Sequence, residues 1–505
     1  MTLLPRHRLV WAIALAALVN INTVATDDGA VENAVYNFST LQHAIESGIS
    51  PVSIVSSELV FPRQLDVLDG TPLTIESEVR AALSGDGTTR LFFLHAKSKL
   101  SLRGLDLVRG HSGGGSGGAL YVSHGSELLM HSVRVSSNRA TFGGAIYLIR
   151  SSLSMVDCTM TSNSAEAGGG VVHATDHSTV TTTNCMMASN SGYWGGIFHG
   201  DGGSVVRASG CTMTSNSALA GGVAHIEDDS SATATGCSMS SNSAFVGGVF
   251  NSHGGSVMIA TDCTMTSNSA QDGGAIRASD DSKVTTTDCT LSSNWAHNGG
   301  AVFAGAGAIL SIIDCTMTSN SAVYWGGVID HKDNSTVTAT TTVMISNKAG
   351  AGGAVSTHGS SFRAANCTIC LNAADTGGAV HVSADSTFTA TNCAMVSNRA
   401  HRLGGTVYAR DNSTVSATEC ALSSNSAHRG GAVYAEQASA VSLHDCVIHA
   451  NRAQDQVCVP NLPLFAVLLL SPGDCSPLFF CLTTTGWRLV LWDTRAEACC
   501  AHCGR

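Results

Sequence analysis

The chain is short of charge. Only 12% of its 505 residues are Asp, Glu, Lys or Arg, and prolines number 8. Disordered chains are usually highly charged and poor in β-branched residues, so this Ala-, Ser-, Thr-, Val- and Asn-rich composition indicates a packed fold. A basic stripe is also missing. The formal net charge of −11 argues against nucleic acid as a partner, because phosphate binding needs clustered Lys and Arg. Long apolar runs are missing too: Leu9 to Val19 and Leu462 to Leu470 both fall short of the roughly 20 residues that span a bilayer. No repeat unit shows a 3.6-residue apolar period or has room for a helix, which excludes helical and leucine-rich repeats.

A repeat is present instead. Gly-Gly recurs at 117, 143, 168, 195, 221, 247, 273, 299, 326, 352, 377, 404 and 430, in steps of 25 to 27 residues. An Asn keeps the same rhythm at 138, 163, 190, 216, 242, 268, 294, 320, 347, 372, 398, 425 and 451. Three residues before the Asn stands an apolar residue, usually Met (Met160, Met187, Met213, Met239, Met265, Met317, Met344, Met395). Five residues before it stands Cys in eleven of thirteen units: Cys158, Cys185, Cys211, Cys237, Cys263, Cys289, Cys315, Cys367, Cys393, Cys420 and Cys446; Val133 and Thr342 fill the exceptions.

Between these markers lie short β-prone runs such as KVTTTDCTL, bounded by Gly, Asp, Asn and Ser. Cys and Met share strand parity, so both point inward and the Thr between them points outward. Stacking the units at about 4.8 Å turns each shared position into a ladder. The expectation is an all-β, single-stranded right-handed parallel β-helix, with about thirteen regular rungs of about 26 residues. The stacked residues Asn163, Asn190, Asn216, Asn242, Asn268, Asn294 and Asn320 fit a turn in which amides bond along the axis. The glycine pair fits a corner needing φ > 0 and no Cβ.

The expected layout is a secretory signal over 1–25, a cap helix and irregular first rungs over 26–110, regular repeats over 111–452, and a Cys-rich tail or cap over 453–505. Arg6 and Arg8, the apolar run and Thr23-Val24-Ala25 carry the signal reading. Phe38, Leu41, Ala44 and Ile45 carry the helix, which would cover the open end of the stack. Six tail cysteines (458, 475, 481, 499, 500 and 503) allow fifteen disulfide pairings, and Cys499, Cys500, His502 and Cys503 could also be read as a zinc set.

The GGAI and GGAV tetrapeptides at 143, 273, 299, 352, 377 and 430, with the apolar-x-x-Asn element, resemble the repeats of chlamydial polymorphic outer-membrane proteins, which carry GGA-[ILV] and Phe-x-x-Asn on a right-handed β-helix. The resemblance covers about residues 36 to 452. Here Met mostly replaces the Phe and the Cys ladder is additional. The residues after 452 are too few for the family's membrane barrel, so autotransport does not follow. Similar repeats occur in secreted proteins of protists and algae.

No catalytic residue, cofactor or metal ligand is assigned from the sequence. Acidic residues gather at the turn after the first strand: Asp176, Asp201, Asp228, Asp229, Asp280, Asp281, Asp333, Asp385 and Asp411. They could be the carboxylates of a polysaccharide lyase or glycosidase, or turn formers; their repetition favours the turn. His173, His199, His225, His331 and His381 are expected to be solvated surface. Cys370 lies off-register and should point outward. Thr212/Thr214, Thr264/Thr266 and Thr316/Thr318, with Ser and Thr rows between, make an outward face that resembles ice-binding proteins and also suits any exposed strand. Sequons stand at Asn37, Asn334, Asn366 and Asn412. With no rung standing out, the expectation is a non-enzymatic secreted or cell-surface protein (outer membrane if bacterial) that contacts extracellular glycans or cell-surface proteins in adhesion. The alternatives are a carbohydrate-active enzyme and an ice-binding protein.

Overall fold

A computed structural model describes residues 33–68 and 72–454, and the backbone of an antiparallel strand pair, Phe479–Thr483 with Gly486–Val490. The signal segment and the Cys-rich tail lie outside the described residues, apart from the backbone of Cys481. The described residues fall into two units that divide between Gly192 and Tyr193, each a right-handed parallel β-helix; they total about 15 turns with rungs of about 26 residues. Among the described residues, no helix is long and apolar enough to cross a membrane.

In the first unit a helix, α1 (Phe38–Glu46), precedes the rungs. Asn37 and Thr40 cap it reciprocally: the Asn37 side chain accepts the Thr40 N–H at 3.0 Å, and the Thr40 hydroxyl accepts the Asn37 N–H at 3.2 Å. Leu41 and Ala44 are buried, and the Phe38 ring meets Phe61 edge-on at 5.3 Å. The segments expected as irregular first rungs are rungs: Leu73–Glu76, Phe92–Leu94, Lys99–Arg103 and Asp106–Val108 all pair in parallel with their neighbours.

A rung of the second unit shows the plan. Phe198–Gly200 lies in a first sheet, Val205–Ser209 in a second, Thr212–Thr214 in a third, and Ser217–Ala220 in a short fourth. Each strand pairs in parallel with its equivalent one rung on, in strict register: Met213 faces Met239, and Met239 faces Met265. Alternate residues enter the core, so Val206, Ala208, Cys211 and Met213 are buried while Thr212 is exposed. The corners between strands need left-handed backbone. The residue before the Cys (Gly236, Asp262, Asp288, Asp314) and the Ser before the Asn (Ser215, Ser241, Ser267) all have positive φ.

The glycine pair turns the corner into the first sheet. Gly247 has φ +62°, and a Cβ on Gly248 would lie 2.1 Å from the carbonyl oxygen of Gly274 in the next rung. In the triplet Gly168–Gly170 the sequence reading took the first two residues as the pair. The corner belongs to Gly169 and Gly170: Gly144 N–H donates to Gly169 O, and Gly170 O is the close neighbour of Gly144. An extra residue precedes the corner in that rung.

The asparagines lock the rungs together. Asn268 Nδ2 donates to Asn294 Oδ1 at 3.1 Å and to Met239 O at 3.0 Å. Its Oδ1 accepts the Asn242 backbone N–H at 2.9 Å and Asn242 Nδ2 at 3.1 Å. Both amide protons and both lone pairs are used, at a site with no exposure. Asn268→Ala leaves four buried groups one hydrogen bond short, Asn242 N–H and Nδ2, Met239 O and Asn294 Oδ1, at about 1–3 kcal/mol for each one left fully unsatisfied. The expected loss is about 3–5 kcal/mol, read as a lower urea midpoint for the full chain. A loss under about 1 kcal/mol would show that the ladder is not a source of stability.

Candidate functional site

The Cys ladder is structural in geometry. Of the twelve described cysteines eleven are buried, and off-register Cys370 is half-exposed. Cys289 Sγ donates toward Thr287 O at 3.2 Å and Ala260 O at 3.5 Å. Thr342, one of the two exceptions, makes the same contacts with its hydroxyl, to Thr340 O at 3.0 Å and Ile312 O at 3.4 Å. Val133, the other, is fully buried with no donor, so the position calls for a small inward side chain and the corner hydrogen bond is an addition. The Cys237 thiol, with burial, pushes Cys263 up to about 11, and Cys263 does the same to Cys289. Both stay protonated and unreactive near neutral pH. At the head of the last run, the Cys393 thiol draws Cys367 down to about 7.

The acidic residues of the first turn are conformational. Asp228 with Asp229 and Asp280 with Asp281 occupy consecutive left-handed positions, as do Asp333 with Asn334 and Asp411 with Asn412. Asp and Asn tolerate this region better than most side chains. Asp201 differs, standing before the left-handed pair Gly202–Gly203. The Thr face is in register over five rungs, Thr212–Ser238–Thr264–Thr290–Thr316 beside Thr214–Ser240–Thr266–Ser292–Thr318. The outer file is exposed and the other half-buried. Val343 and Ile345 end it in the next rung. The sequon residues Asn37, Asn334, Asn366 and Asn412 are all exposed.

The histidines depart from expectation. His173, His199, His225, His331 and His381 are all buried, not solvated. His331 points into the core against Phe362 at 5.9 Å, and burial lowers its pKa to about 3. The other four sit on the outer side of the first sheet, at the fourth residue after the first glycine of the corner. The segment leading into each corner lies over that side. In the first unit Phe142 covers His173 at 5.5 Å; in the second, Trp194 stacks on His225 at 4.9 Å and Trp325 meets His381 at 5.5 Å.

This row is where the repeat stops repeating. Reading the same position along the second unit gives His199, His225, Asn251, Arg277, Phe303, Asp330, Ser356, His381, Tyr408 and Tyr434, paired rung to rung. The expectation that no place breaks the symmetry is therefore overturned. The break was invisible because its members lie about 26 residues apart, each alone among repeated neighbours. Aligning the units on their glycines and looking for the variable column would have found it.

At one end of this row a groove of about 670 Å³ opens between the first-sheet strands Val380–Ser383, Val407–Ala409 and Val433–Ala435 and the fourth-sheet segments Ser321–Trp325, Ala373–Thr376 and Arg399–Leu403. Tyr324 and Trp325 form one wall, 57% and 39% exposed. Arg402, Arg410 and Arg429 share it with Asp375 and Glu436, and Arg410 also pairs with Asp411 at 3.4 Å. The Tyr408 hydroxyl donates to Glu436, and burial with that bond raises its pKa. His381 Nδ1 pairs with the Thr376 hydroxyl at 3.1 Å, while its Nε2 is buried without a hydrogen-bond partner. Burial and Arg410 lower its pKa to about 3, so the ring is neutral near pH 7.

No protein-family model matches the chain, and no curated protein matches it. Function has to be sought in the side chains that depart from the repeat.

Asp330 lies on the same row, 5% exposed. Burial raises its carboxyl to about 7, against partial compensation from Lys332 and a hydrogen bond with Ser356. Its folded pKa lies above the unfolded value of about 4, so the folded chain binds more protons in between and stability falls as pH rises from about 4 to 7. Asp330→Asn should remove this part of the slope and raise the urea midpoint at pH 7.5 but not at pH 4. An unchanged pH profile would count against the assignment.

Proposed function

We propose that this is a non-enzymatic extracellular or cell-surface β-helix protein that holds an anionic carbohydrate chain in the groove over residues 323–436. One observation carries the reading: two exposed aromatic rings, Tyr324 and Trp325, stand beside three guanidinium groups in an open groove on the second unit. Aromatic faces stack on the apolar C–H faces of sugar rings. Guanidinium forks match carboxylate and sulfate geometry. The signal-like segment 1–25 and four exposed sequons support a secreted or cell-surface location, with glycosylation if the host is eukaryotic.

A second reading belongs to the Thr face, whose five in-register rungs form a regular array suited to ice. It is the weaker of the two, because paired Thr and Ser rows are also what an exposed strand face favours. Thermal hysteresis by the full chain would establish it, and none at millimolar protein would remove it.

Calorimetric titration of the full chain with oligogalacturonate, alginate and sulfated oligosaccharides tests the groove. At least one anionic series should bind, and more weakly as salt is raised. Trp325→Ala and the pair Arg402→Ala/Arg429→Ala should each weaken that binding tenfold or more, while neutral oligosaccharides bind less. No binding at millimolar ligand, or equal binding by the variants, would overturn the proposal. New reducing or unsaturated ends in the mixture would replace binding by turnover, with Asp375 and Glu436 as the carboxylates to test.

A further inference from the structure

The other chemically dense stretch of the variable row lies in the first rungs of the second unit. His199 comes from strand Phe198–Gly200, His225 from the next-rung strand Ala224–Ile226, and Glu227 from the residue after it. His199 Nε2 is 2.9 Å from Glu227 Oε1, and His225 Nε2 is 3.3 Å from Glu227 Oε2. The Asp201 carboxylate stands 3.9 Å from His199 Nε2. Both imidazoles have side chains only 4% exposed. Trp194 stacks on His225 at 4.9 Å, and the two imidazole rings lie 5.3 Å apart.

We infer that His199, His225 and Glu227 form a binding site for a borderline divalent cation such as Zn²⁺, with Asp201 in reach as a further oxygen ligand. The ligand atoms of the three residues already lie within 4.8 Å of one another. Metal–ligand bonds of about 2.0–2.2 Å put adjacent ligand atoms roughly 3–3.5 Å apart, close to the separations present. Two imidazoles and a carboxylate suit Zn²⁺ better than Mg²⁺ or Ca²⁺, which prefer all-oxygen shells. The two histidines come from neighbouring rungs, so a bound ion would clamp one rung to the next. It would replace the His199 hydrogen bond and the 3.3 Å His225 contact by which Glu227, held well below the usual carboxylate range by the two imidazoles, now joins them.

The surroundings of His225 set the condition for binding. Asn251 Nδ2 donates to His225 Nδ1 at 2.7 Å, while Arg277 holds Asn251 Oδ1 at 3.1 Å. That arrangement leaves the ring proton on Nε2. Coordination through Nε2 moves the proton to Nδ1 and requires the Asn251 amide to turn its oxygen toward it; Arg277 keeps its second contact, with Ser279 Oγ at 2.9 Å. An aspartate at 251 would supply that acceptor directly, as a carboxylate–histidine–metal relay.

The test uses the full-length chain with accessible thiols alkylated, titrated with Zn²⁺ alone, and with Cu²⁺ for electron paramagnetic resonance. The expected wild-type spectrum shows coupling to two imidazole nitrogens at one site per chain. His199→Gln/His225→Gln should lose that signal and one equivalent of Zn²⁺. Asn251→Asp should tighten Zn²⁺ about tenfold, and it keeps the readout independent of whether the double variant folds. A wild-type spectrum without two-nitrogen coupling, or Zn²⁺ stoichiometry unchanged in a folded double variant, would overturn the site.

Discussion

The register between neighbouring rungs is the constraint on which everything else rests, and the stacked asparagine amides hold it. Backbone pairing between parallel strands would survive a two-residue slip with its inward and outward faces unchanged. The amide contacts would not. Each Asn bonds its equivalent in the next rung and also a backbone carbonyl in the previous one, as Asn294 does with Asn320 and Met265. A slip at any rung would strand buried donors and acceptors on both sides. The thiol or hydroxyl at the Cys position adds a smaller corner contact of the same kind. The left-handed residue before each Asn, Ser in every rung but those of Leu371 and Ala450, turns the chain so that the amide can reach inward.

A fixed register has a chemical consequence. Every rung brings its side chains to the same places, so one substituted position becomes a row. Most positions are committed to packing and repeat because their surroundings repeat. The fourth residue after the corner glycine escapes, because it points away from the core into a space roofed by the chain entering each corner. There the environment is partly dry but not packed like the core, and polar side chains meet one another across rungs. The histidine–glutamate cluster around residues 199–227 and the aromatic–arginine groove over 323–436 are two outcomes of this one arrangement.

Much of the fold was legible in the sequence. The Gly-Gly, Asn, Met and Cys markers recur in phase, and strand parity separates inward Met213 from outward Thr212 without structural help. The glycine triplet at 168–170 was misphased, since any two of its residues satisfy the pattern and only pairing with Gly144 chooses. The histidines were misjudged for a deeper reason. Burial on the outer side of a sheet depends on the segment before the next corner folding back over it, and no local pattern records that. His331 shows the same limit: it lies one residue past the variable position, and that single step carries it into the core. The groove was missed because its residues are scattered over more than a hundred positions and only the stacking gathers them.

The repeated positions build the rungs, and the variable row is where ligand chemistry belongs. Hydrogen–deuterium exchange of the full chain, with and without a bound anionic oligosaccharide, tests this most directly. Ligand-dependent protection should fall on segments 323–325, 373–381, 402–410 and 429–436, with the Thr rows of residues 212–318 unchanged. Protection spread evenly along the rungs, or confined to the Thr rows, would contradict it.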